Sequence, residues 1–231
     1  MKKLLFAFLL SGLFLSTQSF AQKSYGIKGG FTISNFWGPG SQNLNDLFRS
    51  ELPTLDERNL YWFTVGIFTT RELLPDFASV QTELLYMRGG KNWVESSSGD
   101  NSFQVFADYL QMPALLKITI PVILRPRIYV GPYISYMFRA RAQKIPSTLE
   151  DNAFFDGKGA GSELFERYTN VIDLGMTTGF DFDVPFGPGS FVFDFRYNLG
   201  AVNVFNVAPA SGLRNYNFLF MAGYKISVGG Y

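Results

Sequence analysis

The sequence predicts an all-β protein, an up-and-down antiparallel transmembrane β-barrel of about eight strands that follows a cleaved N-terminal signal peptide. Three observations carry this. Bulky apolar residues alternate with small or charged ones in strand-length bursts from about Tyr25 to Tyr231. Long and short connections between those bursts alternate. The greasy face holds more aromatic volume than a narrow barrel can enclose, with 25 Phe and 12 Tyr in 231 residues. Successive side chains leave a strand on opposite sides, so a period of two marks a strand with one apolar face. An eight-stranded interior is just wide enough to be filled by side chains. The rings are therefore expected to face lipid and the polar row to face inward.

The first residues read as a Sec-type leader. Met1-Lys2-Lys3 is basic, Leu4 to Leu15 is a short apolar core, and Ser19-Phe20-Ala21 is a small-x-small ending. Such a core is too short to cross about 30 Å of hydrocarbon as a helix. Cleavage is expected between Ala21 and Gln22, giving a signal peptide at 1–21 and one barrel domain at 22–231.

The alternation is clearest at the end of the chain. Phe191, Phe193, Phe195, Tyr197 and Leu199 interleave with Val192, Asp194, Arg196, Asn198 and Gly200, and Tyr216 to Ile226 repeats the pattern. Eight strands are expected at about 24–35, 61–71, 78–91, 103–118, 127–142, 171–184, 190–200 and 215–229. Each meets or exceeds the roughly 9–11 residues that a tilted strand needs to span a bilayer. Short turns fall at 72–77, 119–126 and 185–189. Longer connections fall at 36–60, with a short helix around 44–51, at 92–102, at 143–170 and at 201–214. Pro113 and Gly131-Pro132 lie inside strands, where a missing donor predicts a bulge or bend.

Composition narrows function. The chain has no Cys and no His, which removes thiol and imidazole catalysis and most zinc sites. A net charge of +1 gives no case for nucleic acid. Mean hydropathy is only +0.06, as a barrel with half of every strand polar requires. Neither a cofactor nor a metal ligand set is expected. Asp151, Asn152 and Asp156 lack the spacing of a calcium loop, and 157–162 has no strand suited to a phosphate loop.

The polar row supplies the candidate site. Lys28, Glu83, Lys117, Arg139, Arg141, Asp173, Asp181, Asp194, Arg196 and Lys225 are expected to form a lumenal charge network. Mixed signs suit a self-neutralising buried cluster, because an uncompensated charge there is costly. Tyr25, Tyr61, Trp62, Trp93, Tyr136, Tyr197 and Tyr216 fall near strand ends, where aromatic rings favour the headgroup zone.

Ordered fragments resemble a known family. Gly26-Ile27-Lys28-Gly29-Gly30-Phe31, Glu83-Leu84-Leu85-Tyr86 and Tyr109-Leu110-Gln111-Met112-Pro113 are followed by Gly131-Pro132-Tyr133, Asp173-Leu174-Gly175, Asp194-Phe195-Arg196-Tyr197-Asn198 and Gly223-Tyr224-Lys225. In this order they are similar to the PorT-like outer-membrane β-barrel family. The resemblance implies an eight-stranded barrel in the outer membrane of a Gram-negative-type cell and little about activity. The last strand, ending on aromatic Tyr231, looks like the signal read by the barrel-assembly machinery.

These readings predict a monomeric structural or interaction scaffold and no enzyme. Its expected partners are outer-membrane lipid, the assembly machinery during biogenesis, and a protein or surface partner at residues 36–60 and 143–170. A narrow solute pore, an outer-membrane enzyme using carboxylates such as Asp181 or Asp194, and a soluble lipocalin-like barrel with its rings inside stay open as alternatives.

Overall fold

A computed structural model describes residues 23–51, 53–95, 102–122, 124–143, 169–205 and 210–228. The expected leader, with Ala21 and Gln22, lies outside them, as do most of 143–170, with 151–162, and Tyr231. Eight strands form the wall: β1 (Lys23–Trp37), β2 (Leu55–Leu74), β3 (Ala78–Glu95), β4 (Ser102–Thr119), β5 (Arg127–Gln143), β6 (Ile172–Phe186), β7 (Gly189–Gly200) and β8 (Arg214–Val228). One helix, α1 (Pro39–Glu51), joins β1 to β2. Each strand pairs antiparallel with its sequence neighbour, and β1 closes on β8, with Lys23 opposite Val228. Closure leaves no edge exposed, which a strand must avoid in lipid.

One end carries the connections 75–77, 120–126 and 187–188, together with the start of β1 and the end of β8. The opposite end carries 38–54, 96–101, 144–171 and 201–213. The medium loop expected at 92–102 shrinks because β3 and β4 run on past it. The 36–60 segment is not a loop at all, being divided between the two strand ends and α1.

The outward rows are apolar. Tyr25, Ile27 and Phe31 on β1, Tyr61, Phe63, Val65 and Ile67 on β2, and Ile128 and Val130 on β5 are each about half exposed. Phe31, Phe220, Phe195 and Phe180 form a ring ladder across β1, β8, β7 and β6, with centroids 5.0, 5.7 and 4.9 Å apart. A lipocalin-like barrel with its aromatics inside is therefore overturned. Trp93 departs from the girdle expectation. It is 1% exposed, and it stacks on Phe103 at 5.0 Å inside the barrel.

The strand prolines are accommodated without a bulge. The β3–β4 ladder lapses between Thr82–Ala114 and Leu85–Gln111, beside Pro113, and resumes in the same register. The β4–β5 ladder lapses likewise between Pro113–Tyr133 and Leu116–Val130, beside Pro132. A missing donor costs local pairing but shifts nothing. The register shifts fall elsewhere, between Asn59 and Val65 and between Glu72 and Leu74 of β2, and between Asp108 and Tyr109 on the β4–β5 seam.

Candidate functional site

The inward face begins, at the short-turn end, with a polar vestibule of about 410 Å³. Arg127, Asp183 and Lys225 line it. Arg127 Nε donates to Asp181 at 2.5 Å, and its Nη1 donates to Asp183 at 2.7 Å. Lys225 pairs with Asp183, and Lys117 pairs with Asp181. Lys117 and Asp181 are fully buried, so the vestibule ends on their ion pair.

Above it lies a quartet. Lys28 Nζ donates to Glu83 at 2.7 Å and to Asp194 at 2.6 Å. Arg196 forks onto both oxygens of Glu83, at 2.8 and 2.9 Å, and reaches Asp194 at 2.7 Å. Alternation explains the assembly, because each residue sits at an inward position on its own strand. Tyr129 on β5 donates its hydroxyl to Asp194 on β7, reaching over β6. Its ring reaches there because Gly179, opposite it on β6, has no side chain. A Cβ at that glycine would lie 2.5 Å from the Tyr129 hydroxyl. Tyr133 lies over Gly175 in the same way.

A neutral layer follows. Asn198 donates to Gln111 at 2.9 Å and accepts from Thr177 at 2.8 Å, while Leu85, Leu219 and Met221 pack as a small apolar group. Asp173 comes next. It accepts from Tyr133 and Asn215 at 3.4 and 3.3 Å, and its Oδ1 has no partner.

The far end changes character. Phe36, Trp93, Phe103, Val105, Val204, Phe205 and Leu213 surround Leu44 and Phe48 of α1, both 0% exposed. The helix starts after Gly38, whose φ of +94° suits glycine, with Pro39 at its first position. Leu44 and Phe48, four apart, share its buried face. Asn45 on that face accepts from Lys91 at 3.3 Å and from Trp93 Nε1 at 3.2 Å. The helix is thus a stopper seated in the barrel mouth.

Eight of the ten residues assigned to the lumen from the sequence line it here: Lys28, Glu83, Lys117, Asp173, Asp181, Asp194, Arg196 and Lys225. Arg139 and Arg141 do not, which corrects the expected set. The shift at Asp108/Tyr109 leaves Phe138 as an extra residue in β5, so the inward sequence Tyr133, Ser135, Met137 passes to Ala140 and Ala142. Arg139 and Arg141 are turned outward, opposite Asp108 and Phe106, and the Arg139 side chain is 48% exposed. Arg127 and Asp183 were missed. Both share the parity of assigned neighbours, Arg127 with Tyr129 and Asp183 with Asp181. With these changes the set holds five cations and five carboxylates, where the sequence count was six against four; Glu72 at the vestibule and Lys91 beneath α1 also point inward.

Among the described residues no group of His, Cys, Asp and Glu is arranged to hold a metal ion. The arrangement is one of interlocked pairs, each of the five carboxylates named above except Asp173 being held by at least one cation.

No curated protein matches the chain. Among solved structures it is similar to Ail, the attachment invasion locus protein of Yersinia pestis, at 14% identity and TM-score 0.45, covering 89% of this chain and 99% of that one. It is similar to the outer membrane protein OprG from Pseudomonas aeruginosa at 12% identity and TM-score 0.45, covering 91% and 99%. It is also similar to Neisserial surface protein A at 12% identity and TM-score 0.42, covering 87% and 96%. The family model described as outer membrane protein beta-barrel domain matches residues 20–206, most of the chain. This bacterial outer-membrane β-barrel belongs to the outer membrane protein beta-barrel domain family.

Proposed function

We propose that the protein is a sealed, monomeric scaffold that acts through its cell-surface end and neither conducts solutes nor catalyses a reaction. The observation that supports this is closure in series. The lumen is filled first by the buried quartet of Lys28, Glu83, Asp194 and Arg196, and then by the α1 stopper around Phe48. Short turns face the periplasm in barrels of this type, which puts the helix outside. The exposed side of α1, with Gln42, Asn43, Asp46 and Arg49, then faces the medium, and Arg49 pairs with Glu57 of β2 at 3.3 Å. This is the surface we assign to partner contact, together with the 144–168 connection. Membership of the PorT-like branch and delivery by the barrel-assembly machinery belong to the same reading.

Planar-bilayer recording tests it. Purified protein should leave the bilayer silent, and a variant lacking Lys28 and Arg196 charges should remain silent because α1 still stops the mouth. Stepwise conductance from the unaltered protein would refute the scaffold reading in favour of a pore.

A further inference from the structure

Outside the barrel, three neighbouring strands change from apolar to charged at one level. On β3 the outward row passes from Leu84 and Tyr86 to Arg88, on β4 from Leu110 to Asp108, and on β5 from Ile134, Tyr136 and Phe138 to Arg139 and Arg141. The level fits the edge of a bilayer. Ile128 to Phe138 is ten residues along β5, about 33 Å at 3.3 Å per residue. At a tilt of about 40° that spans about 25 Å, the height of an outer-membrane apolar band. Arg139 and Arg141 therefore stand where headgroups begin.

The charges at this level do not cancel. Asp108 is the one carboxylate facing the three arginines among the described residues, and it is committed to Arg88. Arg88 donates from Nε at 2.7 Å and from Nη2 at 3.2 Å, while the Tyr86 hydroxyl donates at 3.1 Å. The Arg88 guanidinium lies between the rings of Trp62 and Phe106, 3.7 and 3.9 Å from their centroids. Arg139 only brushes Asp108, at 3.7 Å, and the buried Nε of Arg141 has no partner. Among the described residues two guanidinium groups are thus left in excess on a surface that meets lipid.

We propose that Arg139 and Arg141 dock the phosphate of an outer-leaflet lipid headgroup, with its acyl chains lying below on Phe138, Tyr86 and Phe63. Residues two apart on one strand face are about 6.6 Å apart, a spacing that brackets a single phosphate between two cations. Guanidinium groups match phosphate oxygens in geometry as well as charge. The bulge at Phe138 is what creates the site, since without it both arginines would point inward. The proposal rests on the orientation with α1 outside, and it is independent of whether the lumen conducts.

The test uses full-length mature protein in phosphatidylcholine nanodiscs doped with a phosphorylated lipid A or with its dephosphorylated form. Native mass spectrometry then counts the lipid retained. The phosphorylated form should be retained about 30-fold more strongly, the preference expected of two cations near an anionic headgroup. The R139Q/R141Q variant should lose that preference and keep its heat-modifiable gel mobility. R125Q, which alters a cation at the opposite end, should keep it. Equal retention of the two lipids by the unaltered protein would overturn the proposal without any variant. Unchanged preference in R139Q/R141Q, or loss of it in R125Q, would overturn it too. Displacement by millimolar inorganic phosphate would indicate a free-anion site and overturn the lipid assignment. Conductance in bilayers would refute the scaffold reading and leave this one standing.

Discussion

The same eight strands enclose two opposite interiors. In the membrane half the inward residues are charged, as with Lys28, Glu83, Asp181 and Arg196, while the outward ones are Ile, Val and Phe. At the end capped by α1 the inward residues are Trp93, Phe103, Val105 and Phe205, while Arg88, Asn92, Arg139 and Arg141 take outward positions on β3 and β5. Strand β3 crosses the inversion within one run, from Glu83 inside and Leu84 outside to Arg88 outside and Trp93 inside. A wall surrounded by lipid must carry its polar residues within, whereas a wall surrounded by water can carry an ordinary hydrophobic core. The surroundings of the strand decide the polarity of the lumen, and the change of surroundings is written into one continuous alternation.

The comparison breaks hardest at Glu83. Glu83→Ala leaves Lys28 and Arg196 facing Asp194 as their one remaining carboxylate, in a cluster whose side chains are no more than 1% exposed. Removing one member of a buried ionic cluster costs about 3–5 kcal/mol. Urea unfolding of the barrel in lipid, followed by heat-modifiable mobility, should show a loss of that size. A change below about 1 kcal/mol, the value for a solvated pair, would mean that the lumen is wet.

The corresponding change in the other interior is Phe48→Ala. Phe48 is edge-on to Trp93 and Phe103 at 5.2 and 5.0 Å and fully buried. Truncating a core Phe costs about 3 kcal/mol or more. Here the cost falls on the docking of α1, since no strand pairing depends on it. Limited proteolysis should cut within 39–51 in the variant and not in the unaltered protein, while the barrel keeps its heat-modifiable mobility. Joint loss of cap and barrel would show that the two interiors fold as one unit.

How much of this was legible depends on which signal each residue carries. The strands and the lumen charges were readable because a period of two survives along each element, as in Asp194, Arg196 and Asn198. Trp93 and the two arginines were misplaced for related reasons. Trp93 was grouped with rings near strand ends, where amphipathic side chains sit at headgroups, but β3 runs on past the membrane and its inward row becomes core. Arg139 and Arg141 share the parity of the inward Tyr133, and the bulge at Phe138 breaks that parity with no Gly or Pro to announce it. Pro113, conversely, suggested a bulge or bend, and the ladder lapses beside it with no shift of register.

A third change probes the crowding of the charged interior. Gly179→Ala would put a Cβ 2.2 Å from the Phe195 carbonyl oxygen and 2.5 Å from the Tyr129 hydroxyl. Overpacking of this kind costs about 1–3 kcal/mol. Displacing Tyr129 also withdraws a donor from Asp194. The unfolding midpoint should therefore fall by more than it does in Gly29→Ala, where a Cβ meets its nearest atom at 3.5 Å. Equal losses would place the effect in backbone entropy and leave Tyr129 out of the account.

The smallest effect belongs to a pair that neither interior holds. Arg125 and Asp76 meet across two of the short turns, with their side chains 57% and 75% exposed. Water solvates both, so Arg125→Ala should change stability by less than about 1 kcal/mol. Arg196 bonds to carboxylates through the same chemical group and is fully buried. Arg196→Ala should therefore separate from Arg125→Ala by several kcal/mol in the same unfolding assay. That gap measures what lipid around the wall does to a guanidinium–carboxylate bond inside it. A similar loss from both substitutions would mean that the quartet is solvated and the membrane half of the lumen open to water.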